Sequence, residues 1–408
     1  MPIYAHILHE SPILLWGLTS RQRLERVLKR AGVTDFIENL ESIPNKSSVL
    51  LIRGDYLFDD RVINGLVETN DVVLETGSGD ARVAVAVNVP SSRASQAFEV
   101  LNGLSTEASL PGVRVQTPAA LCSSYMQQLR KSDPPFVLPV TQTNRRDLEK
   151  RLFSSSYKGV TDLITKWAWP CPAQWCTGLC ARYGLRPNHV TFLSFVLVIL
   201  AGIFFAQGKY GWGLLAGWVM TFLDTVDGKL ARVTVTSSRS GHLFDHLIDL
   251  IHPPIWYVLW GLGLAVSHVG MPELTLNITL WVIVGGYVAG RLIELTFTLF
   301  LGDFGIFCWH PIDSYFRLIT ARRNPNLILL TAGAATGYPD LGLLAVAFWT
   351  GLTSFFLLIR LVMAGFSQVS SGPLHSWLLD VEQGTYDRSM AKRLFTRRAE
   401  THSGDKHE

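Results

Sequence analysis

The sequence lacks the cysteine patterns of disulfide-rich and zinc-binding proteins. Its five cysteines are odd in number, and Cys171, Cys176 and Cys180 do not show the paired C-x-x-C spacing of a zinc site. We interpret all five as free thiols in a reducing compartment. We also expect no N-terminal signal peptide, because His6 and Glu10 interrupt the first apolar residues. Both absences favour a front part that lies in the cytoplasm.

Long apolar runs are missing from residues 1–155 and frequent after them, in a chain that is 48% hydrophobic overall. Each run approaches the ~20 residues that a helix needs to cross the hydrocarbon core of a bilayer. The runs lie at 190–206, 212–223, 247–266, 274–300, 327–335 and 341–364. We therefore predict six transmembrane helices, of which the fifth is the shortest.

Lys and Arg are nearly absent from every second connection between these runs, at 207–210, 267–273 and 337–340. The other connections are basic. The positive-inside rule then places both termini, and the connection between the second and third runs, in the cytoplasm. We expect a multi-pass protein of the bacterial inner membrane.

The same patterns divide the chain into four parts. They are a cytoplasmic α/β domain at 1–155, a juxtamembrane linker or amphipathic helix at 156–189, a membrane domain at 190–366 and a cytoplasmic tail at 367–408. In the front domain we predict an amphipathic helix at 19–33 and strands at 48–53, 71–75 and 81–87, the last two as a hairpin. The tail is expected to form a short surface helix.

Four aspartates recur at helical spacing around the connection between the second and third runs. On a helix, Asp224, Asp227 and Ala231 share one face, and Asp245 and Asp249 share a face of the next helix. Two such helices side by side would bring the carboxylates together. Charged side chains at membrane depth are costly and usually mark a functional site. The spacing therefore predicts a pocket for divalent metal and phosphate.

Carboxylate oxygens are hard ligands, which select Mg²⁺ or Mn²⁺. Two such ions ~3.5–4 Å apart can clamp the attacking and leaving oxygens of an in-line displacement at phosphorus. Arg232 is placed to neutralise a phosphate oxygen. One carboxylate would remain to accept a proton from an attacking alcohol.

The motif resembles the signature of the CDP-alcohol phosphotransferases at all eight of its fixed positions, in the order Asp224-x-x-Asp227-Gly228-x-x-Ala231-Arg232, eight residues, Gly241-x-x-x-Asp245-x-x-x-Asp249. The resemblance implies six transmembrane helices and a two-metal site that opens to the cytoplasm. It implies that Asp224 and Asp245 bridge two Mg²⁺ or Mn²⁺ ions and that Asp227 holds one of them. Asp249 would hold the other ion and act as the general base.

The resemblance also implies a set of residues that contact the cytidine diphosphate. They are Asn188, Thr191, Gly228, Ala231, Arg232, Ser238 and Gly241. Asn188 and Thr191 belong to "RPNHVT", which resembles an element that opens the first membrane helix in this family. A Pro-Asn pair is equally typical of an ordinary helix start.

Three arginines precede the fifth apolar run, at Arg317, Arg322 and Arg323. We interpret them as residues that bind a phosphate on the acceptor. The alternative is that they anchor the chain to anionic lipid headgroups.

The resemblance implies transfer of a substituted phosphate from a CDP-alcohol, expected to be CDP-diacylglycerol, to a hydroxyl acceptor with release of CMP. Such an enzyme would act in phospholipid biosynthesis among membrane lipids, as a homodimer and without a nucleic-acid partner. Inositol phosphate, glycerol phosphate, serine or another polyol all remain open as the acceptor, and the CDP carrier could be the lipid or the headgroup. A carboxylate-lined cation transporter is the alternative from a different class.

The first ~90 residues resemble the start of a cytidylyltransferase-like fold, in which a strand ends at an aspartate that can hold magnesium; here that residue is Asp55. However, "MPIYAHILHESPI" lacks the glycine-rich loop whose backbone amides bind a triphosphate. We therefore expect a non-catalytic domain with a regulatory, docking or dimerising role. The alternative is a bifunctional chain whose front domain makes the CDP-alcohol from CTP.

Overall fold

The computed structural model describes residues 2–77, 79, 82–106, 110–237, 239–267 and 271–396, and at 239, 240 and 242–245 it describes the backbone alone. Within these residues an α/β front domain precedes a helical region. The strands are β1 (Ile3–Leu8), β2 (Asp35–Phe36), β3 (Ser48–Arg53), β4 (Tyr56–Phe58), β5 (Val72–Thr76), β6 (Val83–Pro90), β7 (Arg114–Gln116), β8 (Tyr125–Met126), β9 (Lys131–Ser132) and β10 (Val137–Pro139).

The helices of the front domain and the linker that follows it are α1 (Ser20–Arg30), α2 (Asp60–Glu68), α3 (Ala94–Leu101), α4 (Pro118–Leu121), α5 (Arg145–Ser155) and α6 (Pro170–Arg182). Those of the helical region and the tail are α7 (Pro187–Ala206), α8 (Tyr210–Val233), α9 (Arg239–Val266), α10 (Glu273–Thr296), α11 (Pro311–Ile319), α12 (Arg323–Ala335), α13 (Pro339–Ser371), α14 (Trp377–Asp380) and α15 (Met390–Phe395). A π-helical turn at Phe297–Leu301 continues α10.

A mixed six-stranded sheet forms the centre of the front domain, in the order β2-β1-β3-β6-β5-β7. Strand β6 runs antiparallel to both of its neighbours, and the other pairs are parallel. Successive side chains of a strand point to opposite faces of a sheet. Accordingly, Leu50 and Ile52 of β3 pack against α1 and α2, whereas Val49 and Leu51 pack against α3. The sheet is therefore covered on both faces, which explains the continuous apolar run in β3.

The elements predicted in the front domain are confirmed. Thr19 caps α1 by accepting a hydrogen bond from the Gln22 N–H (3.1 Å), and Gly32, at φ +93°, follows the end of the helix. The predicted strand at 48–53 is β3, and the predicted hairpin is the antiparallel pair of β5 and β6. Strand β1 was not predicted, although it lies beside β3 within the sheet.

The six predicted membrane segments all lie within helices, α7 to α10, α12 and α13. Four helices in the described ranges are long and apolar enough to cross a membrane, namely Pro187–Ala206, His246–Val266, Glu273–Leu301 and Pro339–Ser371. Helix α8 ends in the charged motif, and α12 has only 13 residues. Crossing by these two helices therefore stays a prediction.

Small residues bring the helices of this region close together. A Cβ atom at Gly213 of α8 would lie 2.4 Å from the Phe205 ring of α7, and one at Gly333 of α12 would lie 2.6 Å from Gly342 of α13. Only glycine allows such close approach of helix backbones. These contacts fix α8 and α12, which carry functional residues, against the apolar helices.

The front domain packs directly on the end of α8. Arg23 donates a hydrogen bond to the carbonyl of Val233, and Arg26 donates to the carbonyl of Thr234 at 2.7 Å. Cationic groups stabilise the C-terminal end of a helix, where carbonyls lack partners within the helix. The front domain thus holds the helix that carries the first half of the aspartate motif.

The segments on either side of the membrane domain contain helices. The predicted linker at 156–189 contains α6, and α13 continues to Ser371, beyond the predicted boundary at 366. The surface helix predicted in the tail is α15, and its Phe395 is buried with Trp377 and Phe307 in one core. This part of the tail therefore packs onto the rest of the chain.

Candidate active site

The two halves of the aspartate motif lie on consecutive helices. Helix α8 carries Asp224 and Asp227, and α9 carries Asp245 and Asp249. The side chain of Asp245 lies outside the described part of the structure, so its orientation stays a prediction. The spacings of three and four residues place each pair on one side of its helix.

Arg323, the first residue of α12, joins the two halves. Its Nη2 donates to Asp224 Oδ2 and its Nη1 donates to Asp249 Oδ1, both at 2.5 Å. The guanidinium is largely buried, with 16% of the side chain exposed. Charge-assisted bonds of this kind are among the stronger hydrogen bonds in proteins. We call Asp224, Asp227, Asp249 and Arg323 the carboxylate centre.

Asp227 is held from a third helix. Thr191 of α7 donates its hydroxyl proton to Asp227 Oδ2 at 2.6 Å. The other oxygen, Oδ1, is buried and has no hydrogen-bond partner among the described residues. A buried carboxylate oxygen without a donor is costly and indicates a missing ligand.

These oxygens fit a hard cation by their chemistry. Two carboxylates from different helices converge on one positive charge, the Arg323 guanidinium, and Asp227 has an oxygen to spare. Among the side chains that the structure describes, no three acidic, histidine or cysteine groups gather closely enough to form a metal site. A metal would therefore compete with Arg323 for Asp224 and Asp249, and the predicted set would also need Asp245.

The three arginines predicted to bind the acceptor fall into two groups. Arg323 belongs to the carboxylate centre, whereas Arg317 and Arg322 lie around the Phe307 ring, with their Cζ atoms 5.6 and 5.5 Å from its centroid. Arg317 is only 8% exposed, and its Nε and Nη1 have no hydrogen-bond partner within the described part of the chain. Burial lowers the pKa of Arg317 to about 9, with a further contribution from Arg322.

Glu294 of α10 is the carboxylate that pairs with Arg322, as well as with Arg291 at 2.7 Å. Arg291 and Glu294 are three residues apart on α10, a spacing at which side chains of a helix can pair. One carboxylate therefore faces two guanidinium groups, and Arg322 Nε remains without a partner among the described residues.

Comparison with known proteins identifies the helical region. Residues 185–304 match the family model described as CDP-alcohol phosphatidyltransferase. The chain carries a CDP-alcohol phosphatidyltransferase domain. The matched residues include α7, α8, α9 and α10, and with them all four aspartates.

Two curated relatives match parts of this domain. An archaetidylinositol phosphate synthase of Pyrococcus horikoshii is 34% identical over 88 residues, which cover 21% of this chain and 44% of the relative. A phosphatidylinositol phosphate synthase of Streptomyces avermitilis is 34% identical over 71 residues, which cover 17% of this chain and 29% of the relative. The chain thus spans less than half the length of either relative.

The residues predicted to bind cytidine diphosphate are spread over three helices of the phosphatidyltransferase domain. Thr191 is engaged with Asp227, and a Cβ at Gly228 would lie 3.6 Å from Arg232 Nη1, within ordinary contact. Asn188 is exposed, and Ala231 and Gly241 are half-buried. Ser238 lies outside the described residues. Their roles toward a nucleotide stay predictions.

The linker is fastened to the motif helix. The Ser156 carbonyl accepts hydrogen bonds from Lys229 Nζ at 3.2 Å and from Arg232 Nη1 at 3.3 Å, and the Lys229 ammonium lies 3.7 Å from the centroid of the Tyr157 ring. Lys229 and Arg232 are both within the motif. Arg232, predicted to contact the nucleotide, therefore also holds the chain that enters the domain.

Lys158 follows this attachment and is exposed. The protein around its ammonium group restricts hydration, which lowers the pKa of Lys158 to about 8, and the positive charges of neighbouring arginines lower it further. We call Lys158 and these arginines the cationic cluster, which consists of Arg130, Lys158, Arg232, Arg317 and Arg322.

Sequence reasoning missed two members of this cluster, Arg130 and Lys158, and it missed the bridge that Arg323 makes. Arg130 lies in the front domain and Lys158 in the linker, so both come from outside the matched residues. A single basic residue in a polar segment carries no periodic or motif signal. The short "YKG" sequence, in which a lysine precedes a tightly packed glycine, is the one local sign.

Proposed function

We propose that this chain transfers a substituted phosphate from a CDP-alcohol, with CDP-diacylglycerol as the expected donor, to a hydroxyl of a phosphorylated polyol, and that CMP leaves. The main support for this proposal is that Asp224 and Asp249 both bind the guanidinium of Arg323, and that both aspartates lie in the motif matched by the family model. Phospholipid biosynthesis is the corresponding process.

The reaction is a displacement at the β-phosphorus of the donor. The acceptor oxygen forms a new bond to this phosphorus, and the bond from the phosphorus to the bridging oxygen of CMP breaks. Asp249 accepts the proton of the acceptor hydroxyl. In the described structure Arg323 holds Asp249 Oδ1, so this arginine must release the carboxylate before it can act as a base.

Two Mg²⁺ or Mn²⁺ ions bound by Asp224, Asp227, Asp245 and Asp249 would supply electrostatic stabilisation of the phosphate oxygens and of the leaving CMP. The support for this set is the hard-oxygen chemistry of the residues and the unpartnered Oδ1 of Asp227. Within the chain, Thr191 orients Asp227 by donating to its other oxygen.

A phosphorylated acceptor is supported by two independent observations. The relatives' names, archaetidylinositol phosphate synthase and phosphatidylinositol phosphate synthase, describe products that contain an inositol phosphate. In this chain, Arg317 has buried N–H groups that lack partners among the described residues. Arginine binds phosphate oxygens through such groups.

The front domain is better explained as a partner of the transferase than as a second enzyme. Asp55, the residue expected to hold magnesium in a nucleotidyltransferase, accepts two hydrogen bonds from Arg53 at 2.6 and 3.0 Å. The domain instead contacts the end of α8. CTP-dependent release of pyrophosphate by the purified full chain would favour the bifunctional alternative.

A cation transporter is less well supported than a transferase. Asp224 of α8 and Asp249 of α9 both bind Arg323 at the start of α12, whereas an ion path requires polar groups along the depth of the membrane. Cation flux in proteoliposomes without any CMP release would favour the transporter.

The deciding experiment measures CMP release by the full chain in detergent with CDP-diacylglycerol and Mg²⁺. Inositol phosphate and glycerol phosphate are supplied as acceptors beside inositol, glycerol and serine. We expect CMP release with a phosphorylated acceptor and its loss on chelation. No release with any acceptor under saturating metal would contradict the proposed function.

The role of Asp249 is tested in the same assay with Asp249→Asn. Loss of a general base lowers kcat by ~10²–10⁴-fold. Asp147→Asn, which removes a carboxylate with 79% of its side chain exposed on α5, serves as the matched control and is expected to leave kcat unchanged. Undiminished turnover of Asp249→Asn would remove the base assignment.

A further inference from the structure

Building on the function proposed above, we propose that Arg130 of the front domain and Lys158 of the linker complete the binding site for the phosphate of the acceptor. Both lie outside the residues that match the family. The front domain would thereby contribute directly to the substrate site and would restrict the acceptor to phosphate monoesters of alcohols.

Arg130 is carried to this place by the turn between β8 and β9. Gln127 at the start of the turn donates its side-chain amide to the carbonyl of Asp303, in the loop that follows α10. The Arg130 guanidinium packs on the same loop, with its Cζ 3.7 Å from the position of a Cβ atom on Gly305. This loop leads directly to Phe307, around which Arg317 and Arg322 lie.

Lys158 is fixed from both sides. On one side, Ser156 is bound by Lys229 and Arg232 of the motif helix. On the other side, the Gly159 N–H donates to the Leu129 carbonyl at 2.9 Å, and the next N–H along the chain donates to the Arg130 carbonyl at 3.0 Å. Lys158 therefore lies between the motif helix and Arg130. Glycine is required at 159, because a Cβ there would lie 2.5 Å from the Lys131 side chain.

The charges of the cationic cluster call for an anion. Four arginines act on Lys158, and Arg317 among them is 8% exposed with two N–H groups that lack partners in the described residues. Two carboxylates offset part of this positive charge, because Glu294 pairs with Arg322 and Asp162 acts on Arg317. Five cations against two carboxylates leave a surplus of like charges, which repel one another unless an anion offsets them. A phosphate monoester carries a charge of about −1.5 to −2 at neutral pH. An unphosphorylated polyol offers no such charge.

Lys158 is also accessible to a ligand. It is exposed, whereas Arg317 of the same cluster is buried. The cluster thus includes a solvent-accessible residue, Lys158, and a residue of the motif helix, Arg232, as binding of the acceptor phosphate near the reacting hydroxyl requires.

The test uses the full chain with Arg130→Gln and Lys158→Gln, in separate variants. The probes are inositol phosphate in the CMP-release assay and inorganic phosphate in calorimetric binding. We expect each variant to raise KM for inositol phosphate and to weaken phosphate binding by about tenfold, the effect of losing one hydrogen bond to a charged group. KM for CDP-diacylglycerol should stay within about twofold, since the nucleotide site is not changed.

Matched controls are Arg146→Gln and Lys150→Gln, which remove exposed cations from α5 of the same domain. They should behave as wild type. Arg130→Lys and Lys158→Arg keep the charge and should recover most of the affinity, which separates loss of binding from loss of folding. A conservative variant that folds normally yet binds as weakly as the Gln variant would contradict the proposal.

The outcomes separate the two proposals. If the wild-type protein binds phosphate and the Gln variants bind it more weakly, the result supports the phosphate site. This holds even if no acceptor leads to CMP release, in which case only the proposed function fails. Equal affinity for phosphate and equal KM in wild type and Gln variants would overturn the site. A parallel rise in KM for both substrates would also overturn it, because it would indicate a general structural role.

Discussion

The carboxylate centre and the cationic cluster differ in how their charges are balanced. In the carboxylate centre, Arg323 binds both Asp224 and Asp249, so its single positive charge offsets part of the negative charge of the three carboxylates. In the cationic cluster, Arg317 is buried without hydrogen-bond partners for two of its N–H groups among the described residues. In the carboxylate centre, a metal ion would have to displace the Arg323 guanidinium. In the cationic cluster, an anionic ligand would offset an excess of positive charge. Mutations at the two sites should therefore have opposite effects on stability.

The largest expected effect comes from Arg317→Met. Removal of this buried guanidinium, which we propose binds the acceptor phosphate, should raise KM for a phosphorylated acceptor by about 100-fold, through loss of charge-assisted hydrogen bonds. The ligand-free protein should keep or gain thermal stability, because a buried guanidinium with two unpartnered N–H groups among the described residues is replaced by an apolar side chain. Steady-state kinetics and thermal unfolding without ligand measure the two effects. A clear loss of stability would show that Arg317 is already balanced within the chain.

Arg323→Met, in contrast, should lower the thermal stability of the ligand-free protein. Breaking a buried ion pair costs ~3–5 kcal/mol, and the 38% exposure of the Asp249 side chain reduces the expected loss to about 2 kcal/mol. Thermal unfolding in the absence of metal should show this loss. Mn²⁺ should stabilise the variant more than it stabilises wild type, because the metal no longer competes with the arginine. Equal stabilisation of the two proteins would argue against such competition.

Gly159→Ala is expected to disturb the cationic cluster and leave the carboxylate centre intact. The added methyl group would lie 2.5 Å from the Lys131 side chain and 2.7 Å from the Arg130 carbonyl, which forces the linker to move. Overpacking of this kind costs ~1–3 kcal/mol. Thermal unfolding measures the cost, and KM for the acceptor should rise while KM for CDP-diacylglycerol does not. Gly365→Ala, where a Cβ meets no atom within 4 Å, is the matched control.

The smallest effect concerns pH. The pKa of Lys158 is lowered to about 8, so its ammonium is protonated below this pH and loses its proton as the pH rises through it. The charged groups that act on it are Arg130, Arg232, Arg317, Arg322, Lys229 and Asp249. We expect kcat/KM for a phosphorylated acceptor to fall severalfold above about pH 8, since this ratio reports the pKa values of the free enzyme.

Lys158→Arg should remove this falling limb, because a guanidinium keeps its proton throughout this pH range. An unphosphorylated acceptor should not show the limb at all, whichever residue is at position 158. The same profile in wild type and variant would mean that Lys158 does not contact the substrate.

The motif helices could be predicted from the sequence because the residue spacing that indicates them lies within a few neighbouring residues. Asp224 and Asp227 are three residues apart, and their helix follows from periodicity alone. Helix α1 and the hairpin of β5 and β6 follow from caps, turns and alternation in the same way. Crossing of the membrane by α8 and α12 does not follow from composition, because one is charged and the other is short.

The contacts that assemble the site are long-range, and no local pattern reports them. Arg323 is 99 residues from Asp224 and 74 residues from Asp249. From the sequence, Arg317, Arg322 and Arg323 look like one basic group, yet they divide between two centres. The deciding factor is that Arg323 starts α12 beside α8 and α9, whereas Arg317 and Arg322 pack around Phe307.

The attachment of Ser156 to Lys229 and Arg232 limits how this chain can be cut or recombined. A fragment that begins where the family match begins, at residue 185, would lose the carbonyl that holds these two cations. Lys229 is only 5% exposed in the full chain, and its buried ammonium group would then lose one hydrogen-bond acceptor. Chimaeras that exchange front domains should therefore keep the junction from Ser156 to Val160 together with the helical region that follows it.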